Sequence, residues 1–262
     1  MSDAIHDPVD QPPESRFWLT TADGVGIDAV LRRGARARTE AVILANGFTG
    51  TYRSPHTRAI AEALLPVGDV MTFDFRGHHG SGGRSTVGNE EIHDLEAVVV
   101  RLRELGYTSI AAVGFSMGAA VALRHAAIYG GITAVVSVSG PSRWYYRGTR
   151  RMRLLHIGIG RTFGRFVLRT FRKVRVTDRG WDSRPAEPRE VAGELSPTPL
   201  LVVHGEADTY FPVSHATAIH DAAREPRELW IVPGMGHAER AVTPELGVRL
   251  RDWLSERIVR ED

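Results

Sequence analysis

Two hydrophobic periods alternate along this chain. Near-continuous apolar runs occur at Ala41 to Ala45, Val70 to Phe75, Ile110 to Val113, Ile132 to Val138 and Pro199 to His204. Each is too short for a helix and is expected to be a strand, and the unbroken run Ala41 to Ala45 is of the kind covered on both faces of a parallel sheet. Between them the apolar period lengthens to that of a helix. Ser54-Pro55 offers a cap and a first-turn proline for a helix to about Leu65. Asn89 is expected to cap a long helix in which Ile92, Leu95, Val98, Val99, Leu102 and Leu105 recur before Gly106 ends it. Further helices are expected directly after Ser116, near 213–224 and near 243–259, with a strand from Leu229 to Val232. At the start, Phe17 to Thr21 and Gly26 to Arg32 form an expected strand pair turning at Ala22-Asp23-Gly24, because Asp-Gly suits a hairpin. Strands and helices joined by short links predict an α/β class: a mostly parallel twisted sheet with helices on both faces.

Two stretches fall outside that alternation. Residues 1–15 are polar and proline-bearing, with Asp3, Asp7, Asp10 and Glu14, and are expected to be a disordered leader. They lack the basic start and apolar middle of a signal peptide. Residues 141–195 interrupt the strand–helix rhythm, which divides the chain into a core of 16–140 plus 196–262 and an insertion between. Within it Arg161, Arg165, Arg169 and Arg172 recur at helical spacing opposite Phe163, Phe166, Val167, Phe171 and Val174, so one basic amphipathic helix is predicted.

Composition narrows the classes. A hydrophobic content of 42% in 262 residues supports a sizeable core. The absence of cysteine excludes disulfides, thiolate nucleophiles and cysteine metal sites. No apolar run reaches the roughly 18 residues of a membrane-spanning helix, and a cytoplasmic location is expected. The net charge of +2 hides an asymmetry: Arg143 to Arg175 holds ten arginines, one lysine and no acid, a local +11 that leaves −9 for the rest. One basic segment in an acidic body does not suggest nucleic acid; it suggests a local partner or a solvated face.

The chemistry centres on Gly114-Phe115-Ser116-Met117-Gly118, where a strand meets a helix at a glycine-flanked serine. Small glycines permit a strained turn that lifts the hydroxyl above the sheet, making Ser116 a candidate nucleophile. A serine needs an adjacent base, and the base an orienting acid. Asp208, in His204-Gly205-Glu206-Ala207-Asp208, and His237, in Pro233-Gly234-Met235-Gly236-His237, each follow an expected strand, where reactive residues of α/β sheets collect. Alone, Asp208 reads equally as a turn residue and His237 as a surface histidine; Glu206 is a second candidate acid. The order Ser, Asp, His is more specific than any member. His78 and His79 with His93, His204 or His237 lack the spacing of a metal site, and none is expected. Gly80-Ser81-Gly82-Gly83 lacks the lysine of a phosphate-binding loop.

These motifs, together with Asp74-Phe75-Arg76-Gly77-His78, resemble those of the α/β-hydrolase family, in its serine esterase, thioesterase and lysophospholipase-like branch, over about residues 17–259. The resemblance implies an α/β-hydrolase fold with a small helical cap at 141–195 and a cofactor-independent serine hydrolase. It implies Ser116 as nucleophile, His237 as base and Asp208 as its orienting acid, with an oxyanion hole from the backbone N–H groups of Met117 and Phe48. Members often carry His-Gly at the loop that reads Asn46-Gly47 here. The implied substrate is a small-molecule or lipid-like acyl compound, an ester or thioester, with Trp144, Tyr145 and Tyr146 either lining its acyl pocket or packing the cap. The cap arginines either sit in water while the apolar face covers the pocket, or attract an anionic lipid surface or an anionic leaving group such as phosphopantetheine or coenzyme A. A serine peptidase, a C–C bond hydrolase and a non-catalytic binding protein of the same fold are the alternatives.

Overall fold

The computed structural model describes residues 14–35 and 37–258. In chain order the elements are β1 (Glu14–Thr20), β2 (Gly26–Arg32), β3 (Glu40–Ala45), α1 (Pro55–Leu64), β4 (Asp69–Phe73), α2 (Glu91–Glu104), β5 (Ser109–Phe115), α3 (Met117–Ile128) and β6 (Ala134–Val138). They continue with α4 (Arg150–Gly160), α5 (Thr162–Phe171), α6 (Pro188–Val191), β7 (Leu200–Gly205), α7 (Ser214–Ala222), β8 (Arg227–Val232) and α8 (Pro244–Ser255). Residues 1–13 of the expected leader lie outside the described residues, and its last two, Glu14 and Ser15, already belong to β1. Residue 259, the expected end of the last helix, also lies outside them.

One eight-stranded sheet runs in the order β1-β2-β4-β3-β5-β6-β7-β8. The pairs β1–β2 and β2–β4 are antiparallel, and every pair from β4 to β8 is parallel. Pleating explains the two cores. Ile43, Met71, Phe73 and Ala112 point to one face and meet Leu95, Val98, Leu102 and Val121 of α2 and α3. Their neighbours Val42, Leu44, Val113 and Phe115 point to the other and meet Ile60, Leu64, Leu250 and Trp253 of α1 and α8. Each large side chain so buried contributes about 1.5–3 kcal/mol. The in-register pairs Ala45 with Gly114 and Phe115 with Val138 bring the ends of β3, β5 and β6 to one edge of the sheet, where the loops that carry polar residues emerge.

One local expectation is corrected. Asn89 does not cap α2; the helix begins after Glu90 without a side-chain cap. Its start is secured by buried Glu91, whose carboxylate accepts from the Ser85 and Thr86 hydroxyls and from the N–H groups of Thr86 and Gly88. The expected basic amphipathic helix forms as α5, and α4, which the arginine spacing did not cover, precedes it in a hairpin joined at Arg161, which is extended. The joint sits among Gly158, Gly160 and Gly164, and a Cβ on Gly164 would lie 2.1 Å from the Gly158 oxygen, so the two helices touch backbone to backbone. Lastly β8 has one neighbour and is only half-buried, as an edge strand should be.

The insertion is fastened to the core at its stem. Antiparallel and parallel bridges join His78 to Val174 and Ser85 to Val176. The Trp181 and Trp144 indoles donate to the Thr86 and Ala186 carbonyls, and the two rings meet edge to face at 6.1 Å. Ala192 and Leu195, after α6, pack in the same cluster as α3, so the end of the insertion belongs with the main core.

The loop after β4 is held by a buried ion pair. Asp94 accepts from both the Arg76 N–H and its Nε at 2.8 Å, and both side chains are almost fully buried. Asp23 takes the far end of the guanidinium at 2.7 Å. Removing Asp94 would leave a buried cation with only two more exposed partners, Asp23 and, at 3.6 Å, Glu90. Asp94→Ala is therefore expected to destabilise the protein by about 3–5 kcal/mol, measured by urea denaturation; a loss below about 1 kcal/mol would show that the pair does not hold this loop.

Candidate active site

Ser116 stands at the junction of β5 and α3 with φ 51° and ψ −112°, outside the regions open to ordinary residues. Such a conformation costs on the order of 1–3 kcal/mol and persists only where the surroundings impose it. Here they do. A Cβ on Gly114 would lie 2.5 Å from Ala119 Cα, and one on Gly118 would lie 2.1 Å from the Ala45 oxygen. The Ser116 N–H donates to the Val138 oxygen at 2.9 Å, tying the bend to β6. The two glycines of the motif are thus required by close approach of backbone, and the hydroxyl is left at the carboxyl edge of the sheet.

Asp208 and His237 arrive there from the loops after β7 and β8. His237 Nε2 lies 3.0 Å from Ser116 Oγ, and His237 Nδ1 lies 2.7 Å from Asp208 Oδ2. An ionised carboxylate only accepts, so Nδ1 carries the proton and Nε2 is left to accept from the serine hydroxyl. Burial disfavours charge on Asp208, but hydrogen bonds from His237 and from the N–H groups of Phe211 and Tyr210 more than offset it and hold the carboxyl below its usual range. Tyr210 stacks on the imidazole with centroids 4.4 Å apart, fixing the ring from its other side. Glu206, the second candidate acid, is exposed and makes no such bond.

A cavity of about 510 Å³ opens over Ser116. Phe48, Met117 and Trp144 line it, as expected; Tyr145 and Tyr146 do not. Tyr145 is exposed, and Tyr146 packs instead against Phe211 and His215, because the chain after Trp144 turns away from the opening. Neither the Phe48 nor the Met117 N–H is committed to an acceptor among the described residues. Gly47 brings the first of them close: a Cβ there would lie 3.3 Å from Ser116 Cβ.

The loop carrying Phe48 is braced by buried polar groups. Thr57 Oγ1 donates to Asn46 Oδ1 at 2.9 Å, and Asn46 Nδ2 donates to the Phe73 oxygen at 3.3 Å. His78 meets it from the side: its Nδ1 donates to the Arg76 oxygen, leaving Nε2 to accept the Thr49 N–H at 3.2 Å. Burial holds the His78 ring below the usual histidine range, in keeping with a neutral acceptor. Lining residues absent from the motif reading include Arg151, Leu168, Tyr210 and Glu239. Tyr210 and Glu239 each lie two positions past a motif residue, which is the sole signal the chain offers for them. Glu239 Oε2 is buried without a hydrogen-bond partner among the described residues, beside Gly47 and Gly50.

The model of the alpha/beta hydrolase family matches residues 42–245. Among solved structures, the chain is similar to the esterase Pf2001 of Pyrococcus furiosus, at 26% identity over 95% of this chain and 92% of that one, with a TM-score of 0.77. It also shares the fold of the alpha/beta hydrolase GrgF from Penicillium sp. sh18, at 21% identity over 94% of this chain and 99% of that one, with a TM-score of 0.74. A stretch of 45 residues is 38% identical to the uncharacterized protein YfhR of Escherichia coli (strain K12), spanning 17% of this chain and 16% of that relative.

Buried neutral histidines around the site make stability pH-dependent. His215, which accepts the Ser142 N–H at 3.0 Å, is lowered to about 4 by burial and by the Arg143 charge. In the unfolded chain its pKa is about 6.5, so its contribution is whole above that pH and is lost as pH falls toward about 4, because only the unfolded form then gains the proton. The loss is on the order of 3 kcal/mol. The thermal midpoint is expected to fall between pH 6.5 and 4, and His215→Asn, whose amide oxygen can still accept the Ser142 N–H, should fall by less. Parallel curves for the two proteins would refute this origin.

Proposed function

This chain belongs to the alpha/beta hydrolase family and is a hydrolase, and we propose that it cleaves carboxylic esters or thioesters through an acyl-enzyme on Ser116. The observation that carries the proposal is the hydrogen-bonded run from Asp208 through His237 to Ser116, at 2.7 and 3.0 Å. In this reading Ser116 Oγ attacks the substrate carbonyl while His237 Nε2 takes its proton, and Asp208 stabilises the imidazolium that forms. The negative charge collecting on the carbonyl oxygen accepts from the Phe48 and Met117 N–H groups. Collapse of the tetrahedral intermediate breaks the bond to the leaving group, which receives the proton from His237. Water, deprotonated by the same nitrogen, then attacks the acyl carbonyl and restores Ser116.

The cavity supports an acyl substrate. Met117, Leu155, Leu168 and Phe211 give it apolar walls, while Arg151 and Arg172 stand among its lining residues. Similarity to the Pyrococcus furiosus esterase, the one quoted structural relative above a quarter identity, favours ester chemistry over peptide chemistry.

Wild type is expected to hydrolyse p-nitrophenyl esters and to be labelled by a fluorophosphonate probe, with the adduct on Ser116 by peptide mass spectrometry. Ser116→Ala should lose both, and Asp208→Asn should lower kcat by roughly 10⁴-fold, since the amide would favour the wrong imidazole tautomer. No labelling of correctly folded wild type would sink the proposal.

A further inference from the structure

The α4–α5 hairpin carries an apolar surface that nothing among the described residues covers. Leu154, Ile157, Phe163, Phe166 and Phe171 are all exposed, with Phe163 at 76% and Phe171 at 75%, and α5 has no buried residue. Isolated exposed hydrophobics are ordinary; five on two successive helices form a patch that calls for a partner. Their spacing puts Phe163, Phe166 and Phe171 on one side of α5 and Arg165, Arg169 and Arg172 on the other. A groove of about 580 Å³ runs along the hairpin and shares Arg151, Leu155, Leu168 and Tyr210 with the cavity above Ser116. The outer groove and the inner cavity are therefore walled by the same part of the hairpin.

Charge selects the occupant. From Arg143 to Arg175 the chain holds ten arginines, one lysine and no acid. Among the described residues no ion pair falls in that segment; the neighbouring pairs begin only at Arg184. A second copy presenting the same face would bring +11 against +11. A soluble anionic leaving group would satisfy the arginines and leave the phenylalanine rings in water. An anionic bilayer satisfies both, since phosphates take guanidinium groups and the headgroup–acyl boundary takes the rings. The −9 on the remainder of the chain is repelled by the same surface, which orients the molecule cap-down.

We propose that the α4–α5 hairpin docks this protein on an anionic lipid surface, with Phe163, Phe166 and Phe171 entering the headgroup boundary and the arginines on lipid phosphates. That an acyl chain then passes through the shared groove to Ser116 rests on the hydrolase reading above; the docking itself does not.

The test is sedimentation of the full chain with sucrose-loaded vesicles. The protein should pellet with phosphatidylcholine–phosphatidylglycerol vesicles, not with phosphatidylcholine alone, and binding should weaken as salt rises. Changing Arg153, Arg161 and Arg169 together to Gln should lower the partition coefficient on the order of 100-fold. Changing Phe163, Phe166 and Phe171 together to Ser should weaken it further, with both variants melting within a few degrees of wild type. Ser116→Ala should pellet like wild type, so loss of hydrolysis and loss of docking are read separately. No pelleting of wild type at low salt overturns the proposal. So does equal pelleting of wild type and the charge variant, a dimer that the Phe variant abolishes while vesicles are ignored, or coenzyme A binding that the charge variant weakens without any vesicle binding.

Discussion

The helix after β5 starts so close to the end of β3 that a side chain at residue 118 would strike the Ala45 oxygen at 2.1 Å, and the chemistry above the sheet depends on that approach. It forces Ser116 into a left-handed conformation, which aims its hydroxyl out of the sheet rather than along it. It also sets the Asn46–Gly50 loop beside the serine, so that the backbone N–H groups of that loop and the Ser116 hydroxyl share one edge of the sheet. The strain at Ser116 is repaid by ties on both sides: α3 packs into the main core, and the Ser116 N–H bonds to β6.

The surrounding polar network keeps that edge in place, and in a chain with no cysteine it does so without disulfide bonds. Arg76 and Asp94 hold the root of the loop after β4, and from that loop His78 reaches across to the Thr49 backbone. Asn46 and Thr57 secure the same segment from the α1 side. Each of these groups is buried with a partner, the arrangement in which polar groups in a low-dielectric interior specify one geometry instead of penalising it. The histidines among them serve as neutral acceptors, which couples the integrity of the site to pH.

The cap shows a different economy of residues. Its stem is stitched to the core by Trp144, Trp181 and two short bridges, whereas its hairpin turns phenylalanine and arginine outward together. Thr149 Oγ1 donates to the Tyr210 oxygen at the start of the hairpin, which rests on the cavity rim through Met152, Leu155 and Leu168. The same residues thus fasten the cap and wall the cavity.

Local pattern alone determined the class of fold. The apolar runs at 41–45, 110–113 and 199–204 became β3, β5 and β7, and Ser54-Pro55 opened α1, because unbroken hydrophobic runs and capping residues act over a few positions and need no distant partner. The candidate residues Ser116, Asp208 and His237 were legible too, each shortly after a strand and within three positions of a glycine. Tertiary structure decided what local pattern does not encode. Asn89 lost the cap of α2 to Glu91, whose partners lie upstream in a folded loop. Regular arginine spacing marked α5, but α4 before it and the close contact of Gly158 with Gly164 that folds the two into a hairpin had no such signal. Tyr145 and Tyr146 left the cavity that Trp144 joined, and Tyr210 and Glu239 entered it. The 2.7 and 3.0 Å distances among Asp208, His237 and Ser116 likewise exist only once β5, β7 and β8 lie in one sheet, because residues 121 positions apart are brought into contact by packing and not by sequence neighbourhood.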